Sequence, residues 1–283
     1  MNASEYTVRT MSRGEIDFAL DYAAAEGWNP GLYDADCFYA ADTGGFLVGE
    51  CNREPVASIS VVKYGSTFGF LGFYIVRPEH RGQGFGFRIW EAGLKRLSGR
   101  NIGLDGVVAQ QENYKKSGFK TAYRNIRFEG TSGGDSPANP AVVDLSVLPF
   151  DMVAAYDRPF FPDDRSAFLK SWLRQPESTA LGFMQNGTLS GYGMIRVCRS
   201  GYKIGPLFAD APDRAEALFL SLKAGVTPGR PLYLDAPETN PAAVALAERH
   251  GLNVVFETAR MYTGALPELP LNRLFGVTSF ELG

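Results

Sequence analysis

The amino-acid sequence predicts an α/β fold with a mixed sheet, repeated in tandem along the chain. Strand and helix patterns alternate in each half, and similar residues recur at matching spacings in both halves. The length of 283 residues suits two domains of ordinary size. Hydrophobic residues make up 45% of the chain and charged residues 21%, which is typical of a folded globular protein.

The first half has the clearest alternation of elements. Its sequence predicts helices over residues 13–26, 85–97 and 110–117, and strands over residues 46–50, 56–63, 68–76, 102–107 and 120–128. Residues 129–140 are almost all turn and loop formers with little to bury, so we place the domain boundary there. The predicted domains are residues 1–130 and residues 141–283, joined by a linker of residues 131–140.

Four landmarks of the first half recur in the second half in the same order. They are Asn52, Pro78, Gly118 and Arg127 in the first half, and Asn186, Pro212, Gly251 and Arg260 in the second. The asparagine-to-proline distance is 26 residues in both halves, and the asparagine-to-glycine distances are 66 and 65 residues. These spacings predict two copies of one fold. Two unrelated α/β halves that share common turn residues are the alternative.

Charge and cysteine content exclude several classes of protein. The formal net charge of −3 gives no overall attraction for nucleic acid or for an anionic membrane. The three cysteines, Cys37, Cys51 and Cys198, are far apart, which argues against a disulfide framework or a metal site and favours reduced thiols. No apolar segment is long enough for a secretory signal or a membrane span, so we expect a cytoplasmic protein.

A glycine-rich loop follows the apolar segment of residues 68–76 and precedes a predicted helix. Its sequence is Arg81-Gly82-Gln83-Gly84-Phe85-Gly86. The start of a helix leaves backbone N–H groups unpaired and binds phosphate readily, and glycines let a phosphate approach them closely. A Rossmann fingerprint would need glycine where Phe87 stands, and a P-loop would need a Gly-Lys-Ser/Thr ending. A turn that only joins strand to helix is the simpler alternative.

Two motifs in this order resemble the GCN5-related N-acetyltransferase (GNAT) family. The first is Arg81-x-x-Gly84-x-Gly86 directly after a strand, and the second is Tyr114-Lys115-Lys116-Ser117-Gly118-Phe119. The resemblance covers about residues 5–128. Residues 201–208 and 256–262 are similar to the C-terminal domain of tandem acetyltransferases of the holothin acyltransferase type.

The resemblance implies a site for acetyl-CoA as co-substrate, without a metal. In such a fold the strand that ends at Val76 is bulged, and backbone N–H groups near Ile75 and Val76 stabilise the thioester oxygen. The diphosphate would lie on residues 81–87. Tyr114 would protonate the departing thiolate, unless it is only a core aromatic residue. The implied cofactor-binding residues are Ile75, Val76, Arg81, Gly82, Gln83, Gly84, Phe85, Gly86 and Phe87.

Some parts of the site stay open at this stage. Family members often carry a cofactor-binding asparagine seven residues before the tyrosine, but Val107 stands there, and Gln110, Gln111 or Asn113 could replace it. No residue identifies itself as the general base. The acidic candidates in the first half are Glu26, Asp34, Glu50 and Asp105. Trp28-Asn29-Pro30 either walls the acceptor site or simply ends a helix.

The second half lacks a comparable loop. The repeat aligns Gly82, Gly84 and Gly86 with Glu216, Leu218 and Leu220, so we expect a degenerate copy that binds no CoA. Its polar residues Arg196, Arg199, Asp235, Glu238 and Asn240 either contribute to an acceptor pocket or are ordinary surface and capping groups.

The function predicted from the sequence is direct transfer of an acetyl group from acetyl-CoA to the amine of a small molecule. Nucleic acid and membrane are not expected as partners, and the oligomeric state stays open. The alternatives are a regulatory module that binds acyl-CoA without catalysis, and an acyltransferase for hydroxyl groups or longer acyl chains.

Overall fold

One sheet runs through both halves of the chain. The computed structural model describes residues 5–283, so the first four residues of the predicted first domain lie outside it. The thirteen strands of the sheet are β1 Tyr6–Thr10, β2 Phe46–Cys51, β3 Glu54–Tyr64, β4 Phe68–Val76, β5 Asn101–Val107, β6 Lys120–Thr131, β7 Val142–Asp144, β8 Ser178–Gln185, β9 Thr188–Val197, β10 Tyr202–Ala209, β11 Pro231–Pro237, β12 Asn253–Tyr262 and β13 Leu274–Gly276.

Helices pack against this sheet. They are α1 Ile16–Ala25, α2 Asp34–Ala41, α3 Phe85–Arg96, α4 Gln111–Lys116, α5 Phe150–Asp157, α6 Ser166–Trp172, α7 Pro212–Ala224 and α8 Pro241–Arg249. Within residues 5–283, no helix is long and apolar enough to cross a membrane. The sheet and the helices that pack on it confirm the mixed α/β fold predicted from the sequence. The predicted strand of residues 68–76 is β4, whereas α2 was not predicted.

The two halves exchange strands. The sheet order is β1-β2-β3-β4-β5-β12-β6-β11-β10-β9-β8-β7, and β13 also pairs with β10. Strand β12 from the second half lies between β5 and β6, with Thr258 opposite Val107. Strand β6 from the first half pairs with β11, with Arg127 opposite Asp235. The hydrogen bonds that continue the sheet thus cross between the halves in both directions.

The repeated landmarks occupy equivalent turns. Asn52 and Asn186 each lie in a turn between two adjacent strands, with φ of 52° and 51°. Gly118 and Gly251 each follow a helix, with φ of 90° and 71°. Left-handed backbone is accessible to asparagine and glycine at low cost, which explains why these residue types recur.

Strand β4 is irregular and separates from β5. The β3–β4 register shifts between Ser58 and Ser60, and Phe73 has a left-handed φ of 48°. The parallel pairing of β4 with β5 covers only Phe68 to Leu71, although β4 continues to Val76. The last residues of β4 therefore present an edge without a strand beside it, which is the bulged and splayed geometry that the resemblance implies.

The corresponding opening of the second half is filled. Strand β10 also has a register shift against β9, between Ile204 and Leu207. Here, however, β13 pairs with β10, and a side chain at Gly205 would lie 2.5 Å from the backbone oxygen of Val277. Helix α7 begins three residues after β10 without a glycine loop, and Leu218 is buried within it.

Buried ion pairs join the halves. Asp34 in α2 accepts a hydrogen bond of 2.9 Å from Arg196 in β9, and both side chains are at most 1% exposed. Arg127 and Asp235 form a second buried pair across β6 and β11, at 2.7 Å. Although burial alone would raise the pKa of Asp235, Arg127 holds it below its usual range. Each pair costs desolvation energy that only close contact offsets.

We predict that Asp34→Ala destabilises the fold strongly. Removing this carboxylate leaves Arg196 buried without its partner, which should lower the free energy of unfolding by about 3–5 kcal/mol. Asp36→Ala is the matched control, because Asp36 lies on the same helix, is 74% exposed and pairs with Arg13 at the surface. Its loss should cost about 1 kcal/mol or less. Chemical denaturation measures both, and equal effects would contradict the prediction.

Candidate active site

A cleft lies between the end of β4 and the start of α3. Its walls include Glu26, Trp28, Tyr74, Ile75, Val76, Arg81, Gly82, Gly84, Gly86, Phe87, Val107, Gln110 and Tyr114. Gly84 is the N-cap of α3, and Gly82 and Gly84 have left-handed φ of 75° and 80°. A Cβ atom at either glycine would meet no atom within 4 Å. The space over the first N–H groups of α3 is therefore open.

The residues of the glycine loop differ in what their side chains do. Phe87 is 64% exposed at the cleft. Phe85 points away and stacks on Tyr6, with ring centroids 4.5 Å apart. The Gln83 amide donates a hydrogen bond to the backbone oxygen of Glu79. At position 85 the structure thus leaves only the backbone for a ligand.

Arg81 ties the loop to its surroundings. Its Nε donates a hydrogen bond of 2.8 Å to the backbone oxygen of Val76, and its guanidinium forms an ion pair with Glu26. The side chain therefore joins the end of β4 to the residue that follows α1. Because Arg81 is paired with Glu26, the two side chains together bring no net charge to the cleft.

Tyr114 lies at the inner end of the cleft. It belongs to the short helix α4 and stacks on Trp90, with ring centroids 5.4 Å apart. Its side chain is 7% exposed, and its hydroxyl has no hydrogen-bond partner within residues 5–283. Burial, assisted by nearby Tyr74, raises the pKa of Tyr114 above its ordinary value. The phenol therefore keeps its proton throughout the physiological pH range.

A second cavity continues from the cleft into the junction of the two halves. Trp28, Tyr74, Val107 and Tyr114 line both spaces. The first half also contributes Leu71, Gly72, Phe73, Leu104, Asp105 and Arg127, and the second half contributes Phe256, Thr258, Phe280 and Glu281. The empty volume is about 500 Å³, counting the space at its mouth.

Most charged groups of this cavity are already paired. Asp105 accepts hydrogen bonds from Arg260 at 2.7 Å and from Asn125 at 2.8 Å. Burial raises the pKa of Asp105 despite the opposing effect of Arg260. Arg127 is held by Asp235 and also donates to the backbone oxygen of Trp28 at 2.8 Å. These pairs build the walls of the cavity and fix the Trp28 turn in it.

Glu281 differs from the paired charged residues of the cavity, and the sequence did not indicate it as a site residue. This residue is only 4% exposed, lines the cavity, and accepts a hydrogen bond of 2.9 Å from the Ser279 hydroxyl. It forms no ion pair within the described part of the chain. Among the acidic residues proposed from the sequence, Glu26, Asp34, Glu50 and Asp105 are each paired with an arginine.

The remaining polar candidates divide between the site and the scaffold. Of the three residues considered in place of Val107, Gln110 lines the cleft. The Gln111 amide donates a hydrogen bond to the backbone oxygen of Gly106, and the Asn113 amide donates one to the side chain of Gln110. The polar residues named in the second half make structural contacts. Arg196, Arg199, Asp235 and Glu238 form ion pairs, and Asn240 caps α8.

The bulged strand β4 and the glycine-rich start of α3 are features that the resemblance to acetyltransferases implies. Two family models agree with this resemblance. Residues 15–119 match the acetyltransferase (GNAT) family, and residues 153–276 match an acetyltransferase (GNAT) domain. The chain is also 33% identical to holothin acyltransferase of a Pseudoalteromonas strain, over 98% of this chain and 95% of that protein. The chain therefore belongs to the GNAT family of acyltransferases, with two GNAT domains in tandem.

Solved structures share the fold. A protein from Pyrococcus horikoshii superposes over 100% of this chain and 98% of its own, with a TM-score of 0.84 at 23% identity. A tandem GNAT protein from the clavulanic acid biosynthesis pathway covers 93% of this chain and 100% of its own, with a TM-score of 0.63 at 12% identity. At these identities the likeness concerns the fold alone.

Proposed function

We propose that this acyltransferase transfers an acetyl group from acetyl-CoA to the amine of a small molecule. One observation carries the proposal: the cleft over α3 and the cavity between the halves meet at Tyr74, Val107 and Tyr114. A donor in the cleft and an acceptor in the cavity would meet at that junction. The relative of 33% identity is named for acyl transfer to holothin, which favours an acceptor of small-molecule size.

The residues of the cleft fit an acyl-CoA. The open N–H groups after Gly82 and Gly84 suit a diphosphate, because the helix start is positive and glycine leaves room. The free edge of β4 at Ile75 and Val76 suits a thioester, whose oxygen gains charge during transfer. Bound acetyl-CoA would supply the activated acetyl group. The chain would supply position, polar contacts and proton transfer.

Tyr114 is the proposed general acid. A phenol with a raised pKa is protonated at neutral pH and can give its proton to a departing thiolate. Its hydroxyl has no competing partner within residues 5–283, and its ring is fixed by stacking on Trp90. In the second half, β13 pairs with β10 at the place where the equivalent cleft would open. We therefore propose one catalytic site per chain.

We predict that Gly84→Asp abolishes CoA binding. The carboxylate would stand in the open space over α3 and repel the diphosphate. Gly99→Asp is the matched control, because Gly99 has the same φ of 80° and the same open surroundings at the far end of the helix. Both variants carry a backbone cost of about 1–2 kcal/mol. Calorimetry should show CoA binding to the control alone, and unchanged affinity of Gly84→Asp would refute this cofactor site.

We predict that Tyr114→Phe lowers kcat about 10²- to 10⁴-fold with little change in acetyl-CoA affinity. The ring stays stacked on Trp90, so only proton donation is lost. The rate of free-thiol release measures turnover, and a melting curve checks that the variant is folded. A fully active variant would remove Tyr114 from the mechanism.

A screen of acetyl-CoA consumption tests the overall proposal. The panel contains small amines, aminoglycosides, amino acids and peptides, with alcohols and longer acyl-CoAs in parallel. Thiol release that depends on an added amine supports N-acetyl transfer. CoA binding without turnover on any acceptor would favour the regulatory module instead.

A further inference from the structure

The carboxylate of Glu281 stands out in the cavity between the halves. One of its oxygens accepts from Ser279, and the other has no hydrogen-bond partner within residues 5–283. A buried carboxylate is costly unless a cation or several donors satisfy it. The cavity therefore contains one carboxylate oxygen to which no side chain of the described residues donates a hydrogen bond.

Arg127, Arg196 and Lys203 lie close enough to interact with Glu281 electrostatically, but none of them forms a hydrogen bond with it within the described residues. Arg127 and Arg196 are engaged by Asp235 and Asp34 in buried pairs. Lys203 donates to the backbone oxygen of Asn29 at 3.0 Å, and burial and the charge of Arg127 lower its pKa. On the other side of the cavity, Asp105 is paired with Arg260. Across this cluster, Glu281 is the carboxylate left available to a ligand.

The rest of the cavity is aromatic. Its aromatic rings are Trp28, Phe73, Tyr74, Phe256 and Phe280, in addition to that of Tyr114. Such walls favour a flat apolar body, and the faces of aromatic rings also attract cations. A sugar with many hydroxyl and ammonium groups would leave most of its polar groups unpaired here.

We propose that this cavity is the acceptor site and that it takes a compact amine carried on a flat, apolar ring, with the ammonium held by Glu281. This inference rests on the proposed function. Glu281 takes one proton from the ammonium, and the freed lone pair attacks the thioester carbonyl carbon. The C–N bond forms as the C–S bond breaks. Tyr114 gives its proton to the departing thiolate, the amine's second proton restores the Tyr114 hydroxyl, and Glu281 releases its proton to solvent.

Binding of benzylamine to the full-length protein saturated with CoA tests this without turnover. We expect Glu281→Gln to weaken benzylamine binding about 10- to 100-fold in calorimetry, because a charge-assisted contact is lost. CoA affinity should not change. Glu257→Gln is the matched control: its side chain is 37% exposed and pairs with Arg124 at the surface. A melting curve verifies that both variants are folded.

Two further probes separate charge from shape. Benzyl alcohol has the same ring without the charge, and kanamycin has several ammonium groups without the ring. Both should bind the wild-type complex more weakly than benzylamine. Equal affinities of Glu281→Gln and Glu257→Gln, benzyl alcohol as tight as benzylamine, or no saturable benzylamine binding would each overturn the inference. Failure of the proposed function is distinguishable, since it would appear as loss of CoA binding or of transfer to every amine.

Discussion

The exchange of strands β6 and β12 is the constraint on which the rest of the structure depends. Without β12, strand β5 would have an open edge beside the cleft, and without β6, strand β11 would have one. Unpaired strand edges are unfavourable and prone to association. Each half therefore completes its sheet only with a strand of the other. The exchange also brings Phe256 and Thr258 on β12 to the wall of the cavity between the halves.

Buried charge pairs make this junction specific. Ion pairs of this kind add little net stability compared with apolar packing, but breaking one of them is costly. Asp34–Arg196 and Arg127–Asp235 each join one half to the other, and Arg260 of β12 meets Asp105 of β5. A shifted register would leave these groups buried without partners. We infer that the pairs fix the alignment of the exchanged strands, and with it the shape of the cavity.

The sequence predicted the local structure around the glycine loop well. The glycine loop and Tyr114 lie within about thirty-five residues of each other, and strand, loop and helix signals depend on neighbouring residues. The strand ending at Val76 and the turns at Asn52 and Asn186 were predicted for the same reason. The spacing of landmarks also revealed the tandem repeat, because equal distances along the chain need no knowledge of contacts.

The parts that the sequence did not predict depend on long-range contacts. Periodicity shows that residues 120–128 form a strand, but it does not show which strand is the neighbour, so the exchange stayed hidden. Helix α2 was missed because its face carries a buried Asp34, which only Arg196 in the other half explains. Glu281 lies 167 residues beyond Tyr114 in an unremarkable segment, and only the folded chain brings both to one cavity.

The segment that contains β13 accounts for a structural difference between the two similar halves. At β10 it pairs with Leu207 and Phe208 and occupies the opening that a donor would need. It then continues to Gly72, where only a residue without a side chain leaves room for the backbone of Glu281. The same stretch of chain thus closes the opening of one half and completes the cavity of the other. The two tandem domains thus share one cavity lined by both halves, and in the proposed function the second half forms the wall that faces the acceptor.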